Sequence, residues 1–305
     1  MVDILRLVYV SFRSREGEAK TLVPYLKWVG GKRQLLPVIS EHLERSLPIR
    51  TYVEPFVGGG AVLFDVLTRF RPERVYLSDQ NSDLIDCYLS IRDNVESFIE
   101  CLKGIEGQYN ALSQTERRTY YLHARKVFNE KKDRFTRVQR GALFVFMVYG
   151  GFNGLVRYNT QGAWNVPHGK HRSLRLTDEA NLREIHKSLQ GTEILCADYA
   201  QSLSRCDSST FVYLDPPYRP ISQTSSFRSY TQNGFSDDEQ VRLAKFCDEL
   251  TQRGAKFLQS NSYSRDGFFE TLYQNYHIHY VSARRTVNSV GSGRGEILES
   301  MILNF

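Results

Sequence analysis

Seven short runs rich in β-branched and aromatic residues, spaced by helix-like segments, narrow the folds open to this chain more than any other feature. The runs lie at 51–56, 74–79, 193–198, 211–215, 255–261, 276–283 and 297–305. Helix-like segments at 32–46, 60–70, 82–92, 237–253 and 265–274 sit between several of them. Strands that alternate with helices need crossover connections, and these build a mostly parallel sheet covered on both faces. The alternation fails between about 93 and 190, where helical, basic segments give way to the irregular "YGGFNGLVRYNTQGAWNVPHGKHRSLR". The expected fold is therefore α/β and discontinuous. One domain is assembled from 22–92 and 190–305, a mostly helical insert spans 93–189, and 1–21 form an N-terminal extension. The extension has a short apolar patch, but Asp3 and Arg6 interrupt it and no small-residue cleavage site follows, which reads as an added element and not a signal peptide.

Composition bounds the partners. No stretch approaches the roughly 20 apolar residues of a membrane span, so no membrane partner is expected. Five cysteines, an odd number without a C-x-x-C pair, fit a reducing cytoplasm and no structural zinc. His168 and His171 could share a turn, but nothing nearby completes a metal set. The net charge is +6, and its whole excess lies in residues 93–190, where 16 Lys/Arg face 10 Asp/Glu; the remainder balances at 24 against 24. The basic residues are densest in 117–140, with nine bases and two acids. A basic face is often only solvated, yet a basic insert in a neutral remainder suits a polyanionic partner such as nucleic acid.

Ligands of open α/β sheets bind beyond the carboxyl ends of the strands, and three of these ends carry chemistry here. In "YVEPFVGGGAVLFDVL" a strand runs into Gly58, Gly59 and Gly60 and a helix starts at once. A glycine triplet alone is compatible with a plain tight turn. Asp79 closes the next strand at the distance where a ribose hydroxyl is held in nucleoside-binding sheets; the alternative is a helix cap. The full dinucleotide spacing is missing, since Leu63 stands at the third glycine. "WVGGKRQ" is no phosphate loop, since Leu26 and Arg33 replace its first glycine and its Ser/Thr. A nucleoside-type cofactor without phosphates fits best. The third end, "VYLDPPYRPIS", puts Asp215 at a strand terminus, followed by two prolines that stiffen the backbone and free its carbonyls, then Tyr218. A carboxylate, a backbone carbonyl and an aromatic plane suit a flat ring with an exocyclic amino group.

Seven motifs in order now resemble the DNA adenine methyltransferase (Dam) family, the alpha group of amino-methyltransferases: "KWVGGKRQLL" (27–36), "EPFVGGGAV" (54–62), "SDQNSDLI" (78–85), "FNGLVRYN" (152–159), "NVPHGK" (165–170), "CADYA" (196–200) and "DPPYRPIS" (215–222). The resemblance spans about 22–305. It implies a Rossmann-like S-adenosylmethionine-dependent methyltransferase sheet interrupted by a DNA target-recognition domain. It also implies transfer to adenine N6 in double-stranded DNA, usually in GATC, leaving S-adenosylhomocysteine and needing no metal. By the same resemblance Trp28, Gly30, Gly31 and Lys32 lie beside the methionine part of the cofactor. Phe56, Gly58 and Gly60 form the cofactor loop, Asp79 holds the ribose, and Asp198 and Tyr199 line the adenosine side. Asp215, Pro216 and Tyr218 correspond to the catalytic motif. Lys27, Phe152, Asn153, Leu155, Arg157 and Pro167 correspond to DNA-contacting positions. Lys170-His171-Arg172 departs from the Arg/Lys-Tyr pattern of many members, so flanking contacts stay open.

The residues of the insert agree with this. Arginine can grip a guanine edge bidentately, and leucine or proline can touch a thymine methyl. A target amine inside a duplex is out of reach, so the adenine must leave the stack. Hydrogen bonds from that amine to Asp215 and the Pro216 carbonyl would localise its lone pair for direct transfer. Positioning supplies much of the remainder, and one chain suffices. An RNA or protein-glutamine methyltransferase, or a catalytically silent DNA-binding subunit, are the alternatives. D-P-P-Y in place of N-P-P-Y, the basic insert and the intact Asp215 disfavour them. A restriction-modification, housekeeping or phage role stays open.

Overall fold

A computed structural model describes residues 22–28, 30–130, 134–219, 235–284 and 296–305. The N-terminal extension, residues 131–133 of the basic stretch and residues 220–222 of the last motif lie outside the described residues.

Each of the seven runs forms a strand: β1 (Thr51–Glu54), β2 (Arg74–Asp79), β3 (Glu193–Cys196), β4 (Thr210–Leu214), β5 (Lys256–Ser262), β6 (His277–Arg284) and β7 (Glu296–Leu303). They make one sheet in the order β3-β2-β1-β4-β5-β7-β6. The first five are parallel, and β7 runs antiparallel between β5 and β6. The α/β class with Rossmann-like winding therefore holds. Side chains alternate between the two faces, as a pleated strand requires. Tyr52, Phe211, Tyr213, Leu258 and Met301 enter one core, while Val53, Val212, Leu214, Phe257 and Ile302 enter the other. The first core is closed by α1 (Leu36–Arg45), α2 (Ala61–Arg69) and α3 (Ser82–Ala111), the second by α7 (Asp237–Gln252) and α8 (Phe268–Leu272).

The chain leaves β1 for β2 on one side and later returns to β4 on the other. That reversal opens a crevice outside the carboxyl ends of these strands. Between β2 and β3 come α3, α4 (Gln114–Glu130), α5 (Arg137–Gly150) and α6 (Glu179–Ser188).

The helix expected over 82–92 does not stop there. It bends at Asn94, whose dihedrals are non-helical (φ −146°, ψ 46°), and continues to Ala111. Val95, Phe98, Ile99 and Leu102 resume the spacing of a buried helical stripe beyond the bend. They join the same core as the sheet residues. Against them lies α5, which starts with a capping box between Thr136 and Gln139 and is buried over most of its surface.

Candidate active site

The crevice deepens into a cavity of ≈ 1530 Å³. Its walls include Trp28, Gly30, Gly31, Lys32, Phe56, Gly58, Gly60, Asp79, Asp198, Asp215, Pro216 and Tyr218, so nearly all residues expected at the cofactor and the reacting base converge there. Lys27 and Asn153 also reach it.

The glycine loop after β1 is shaped for close approach. Gly58 and Gly60 have φ of 48° and 71°, a region that side-chain-bearing residues rarely enter. A Cβ at Gly58 would stand 2.8 Å from Trp28 Nε1, and one at Gly60 would stand 2.5 Å from the Tyr88 hydroxyl. The bare turn is thus packed against Trp28 on one side and α3 on the other. Asp79 at the end of β2 fastens it: the Gly58 N–H donates to its Oδ2 at 3.2 Å, and the Asn81 N–H to its Oδ1 at 2.9 Å. Burial raises the Asp79 pKa above the ordinary carboxylate range, against the pull of these N–H groups. The α3 cap is Asn81, whose side chain accepts from the Asp83 and Leu84 N–H groups. Asp79 is therefore not itself the cap.

Asp215 follows β4, and its Oδ1 lies 2.8 Å from Lys32 Nζ. Burial pushes its pKa upward, Lys32 opposes this, and Glu299 adds to it. The Lys32 ammonium also sits 4.5 Å from the centre of the Tyr218 ring, and the Tyr218 hydroxyl donates to Glu299 Oε2 of β7 at 2.5 Å. Glu54, at the end of β1, is a further buried carboxyl in the cavity wall and accepts from the Tyr52 hydroxyl at 2.7 Å. Burial drives its pKa well up, and Asp215 adds to the shift. Glu54 was not singled out from the sequence, although its place at a strand end beside the glycine loop was the signal that could have found it.

Two expected positions differ. Tyr199 does not line the cavity. Asp198 caps a 3-10 helix over Tyr199–Arg205, and this turn sends the Tyr199 ring into the second core, 5.3 Å from Phe246 and 5.3 Å from Phe56. It supports Phe56 from below. Asp198 does reach the cavity, but its carboxylate already accepts from Arg242 at 2.6 and 3.0 Å, from Gln80 at 3.0 Å and from the Ala200 N–H at 3.0 Å. Burial works against its ionisation, yet these donors hold its pKa below the usual range.

Phe152, Leu155, Arg157 and Pro167 lie outside the cavity, on the segment that follows α5. The Phe152 N–H donates to the Pro167 carbonyl at 2.9 Å, and the exposed Arg157 is held by Asn165 through Nε to Oδ1 (2.6 Å) and Nη2 to the carbonyl (3.1 Å). Asn153 has φ 55°. Lys27 packs beside this segment, 3.4 Å from where a Cβ on Gly154 would stand. Among the described residues no three His, Cys, Asp or Glu side chains gather as a metal set, and no helix is long and apolar enough to cross a membrane. None of the five cysteines forms a disulfide.

The profile of the family described as D12 class N6 adenine-specific DNA methyltransferase matches residues 28–287. The chain belongs to this family. Relatives of this D12-class methyltransferase bear it out. The "Type II methyltransferase M.MjaIII" of Methanocaldococcus jannaschii is 42% identical, over 92% of this chain and 99% of its own. The "Type II methyltransferase M1.LlaDCHI" of Lactococcus lactis subsp. cremoris is 35% identical, over 93% and 96%. The "DNA adenine methylase" of Escherichia coli K12 is 34% identical, over 92% and 94%. The D12-class activity is methylation of adenine N6 in DNA, and the resemblance noted in the sequence is thereby confirmed at the level of the family.

Proposed function

We propose that this D12-class enzyme takes its methyl group from S-adenosylmethionine and delivers it to an adenine flipped out of duplex DNA, within GATC. The observation that carries the reading is that Asp215, the Gly58–Gly60 turn and Asp79 wall one cavity from three adjacent strand ends. The cavity fits the donor. The bare glycine turn allows backbone contact, Phe56 offers a ring face, and Asp79 keeps lone pairs for ribose hydroxyls. Trp28, Gly30 and Gly31 would border its amino-acid part. When bound, S-adenosylmethionine supplies a methyl group already activated by a positive sulfur. The chain's own residues then hold the base. Asp215 and the Pro216 carbonyl accept the two amine hydrogens, and the Tyr218 ring gives the base a face on which to stack. Each task is one of placement and of fixed charge, the terms that dominate such sites. Since one chain contributes the whole cavity, we infer that it acts as a monomer.

Asp79→Ala is expected to weaken S-adenosylmethionine binding by roughly 1.5–3 kcal/mol, the worth of a hydrogen bond to a charged group, with DNA affinity less affected. Calorimetry that finds unchanged cofactor affinity would leave Asp79 as a bracket for the glycine loop only.

The GATC assignment rests on the resemblance of "FNGLVRYN" and "NVPHGK" to that family, with the basic stretch 117–140 supplying phosphate contacts. The grip of Asn165 on Arg157 supports a reading role, because a guanidinium fixed in orientation suits a guanine edge. Arg157→Ala should cost about 1–3 kcal/mol of discrimination at a guanine and leave cofactor binding intact. Labelled methyl transfer to GATC duplexes carrying single-base substitutions tests both statements. Equal methylation of every duplex by the wild-type enzyme would remove the site assignment. An unaltered preference in the variant would reduce Arg157 to a backbone contact.

A further inference from the structure

Lys32 is a lysine where the enzyme has little room for one. It is 5% exposed, far too buried to reach a phosphate on the surface. Its ammonium has three donors, and two of them find acceptors within the cavity wall. One faces Asp215 Oδ1 at 2.8 Å, one donates to the Gly30 carbonyl at 3.1 Å, and the ring of Tyr218 lies 4.5 Å away. Among the described residues the Asp215 carboxylate makes no other hydrogen bond, so Oδ2 has no partner while Oδ1 is taken.

We propose that Lys32 is a positioning residue for methyl transfer: it grips Oδ1 of Asp215 and keeps the carboxylate ionised, so that Oδ2 is presented to the target amine. The assignment rests on the reading that Asp215 accepts that amine.

The surroundings make the grip necessary. The other titratable groups around Asp215 are Glu299 from β7, which acts on it, and Glu54 from β1 with the hydroxyls of Tyr213 and Tyr218, on which Asp215 itself acts. Each of these is neutral or negative. Burial and Glu299 favour a protonated Asp215, and Lys32 supplies the positive charge that opposes them. A protonated carboxyl accepts a hydrogen bond poorly and would lose its hold on the amine. Lys32 thus acts on the adenine through Asp215, at the opposite end of the sequence from the motif it serves.

The experiment is the pH profile of single-turnover methyl transfer, at saturating S-adenosylmethionine, for the wild type, K32M, K32R and D215N, with cofactor affinity measured by calorimetry. In K32M the acid limb should move to higher pH by about one unit or more, a loss of about tenfold per unit below the limb, with activity regained as the pH rises. K32R keeps the charge and should keep the limb. Cofactor affinity should stay within about threefold, less than one hydrogen bond is worth. Should K32M fail to fold, K32Q carries the same expectation. A limb at the wild-type pH, or a loss equal at every pH, overturns the proposal. So does a fall in cofactor affinity that matches the fall in rate, which would make Lys32 a cofactor ligand. The D215N control separates the two ideas: turnover by D215N within tenfold of wild type removes Asp215 as acceptor, whatever K32M does.

Discussion

Asp215→Ala is expected to abolish methyl transfer while S-adenosylmethionine still binds. Asp215 stands at a strand end, opens onto the cavity and is followed by Pro216, Pro217 and the Tyr218 ring. Its removal leaves the amine with a single acceptor, the Pro216 carbonyl, and leaves Lys32 buried without its counter-charge. Loss of one fixed group from such a site costs about 10²–10³ in rate. The stranded Lys32 makes the loss larger. The glycine loop and Asp79 make no contact with Asp215, so cofactor affinity should be retained. Labelled methyl transfer to an adenine-containing duplex, with calorimetry alongside, decides the matter. Turnover within tenfold of wild type would sink the assignment. The wild-type rate should also fall on the acid side at a pH above the ordinary carboxylate range. In the proposed mechanism the ionised form accepts the amine, and burial, only partly offset by Lys32, raises the Asp215 pKa.

Arg140→Met should be the most damaging single change to stability. Arg140 of α5 and Asp83 of α3 are 7% and 5% exposed, with Nε 2.7 Å from Oδ1. The guanidinium lies 3.5 Å over the Phe128 ring of α4, and the Tyr158 hydroxyl donates to the other Asp83 oxygen at 2.7 Å. Methionine fills the space but leaves the Asp83 carboxylate buried without its cation, a situation that costs about 3–5 kcal/mol. Adding Asp83→Leu removes the stranded charge and should recover a large part of the loss. Urea unfolding of the single and double variants checks this. A single-variant cost under about 1 kcal/mol, the level of an exposed pair, would show that Asp83 reaches water.

What the sequence made legible follows the range of the forces involved. The strands were readable because β-branched and aromatic runs end sharply at Gly, Pro, Asn and Asp. The antiparallel placement of β7 between β5 and β6 was not, since pairing depends on residues distant in the chain. The length of α3 was hidden by "RDN" at 92–94, three polar residues that read as a stop. Only packing against α5 makes the chain bend there and go on. In the site, Asp79 and Asp215 could be placed because each ends a strand. The Lys32–Asp215 pair could not, because it joins the first turn of the described chain to the fourth strand. Tyr199 was misplaced for a local reason: the cap at Asp198 reverses the side of the backbone on which the ring falls.

The buried cluster that runs without interruption from Tyr52, Tyr213 and Met301 of the sheet through Leu84 and Phe98 of α3 to Phe146 and Trp164 has a consequence for how the enzyme can be taken apart. A fragment cut at 93 and 189 would carry away half of α3 and expose Phe98 and Leu102 to water. The sheet left behind would keep α1, α2 and the first part of α3 but lose the rest of the cover over that face. At about 25 cal/mol per Å² of apolar surface, each newly exposed core side chain weighs against a folding free energy of only the usual 5–15 kcal/mol. The insert is therefore no detachable cassette. The residues proposed to read DNA can be exchanged singly on a standing scaffold, but transplantation of the whole insert between relatives has to bring α3 and its partner faces along.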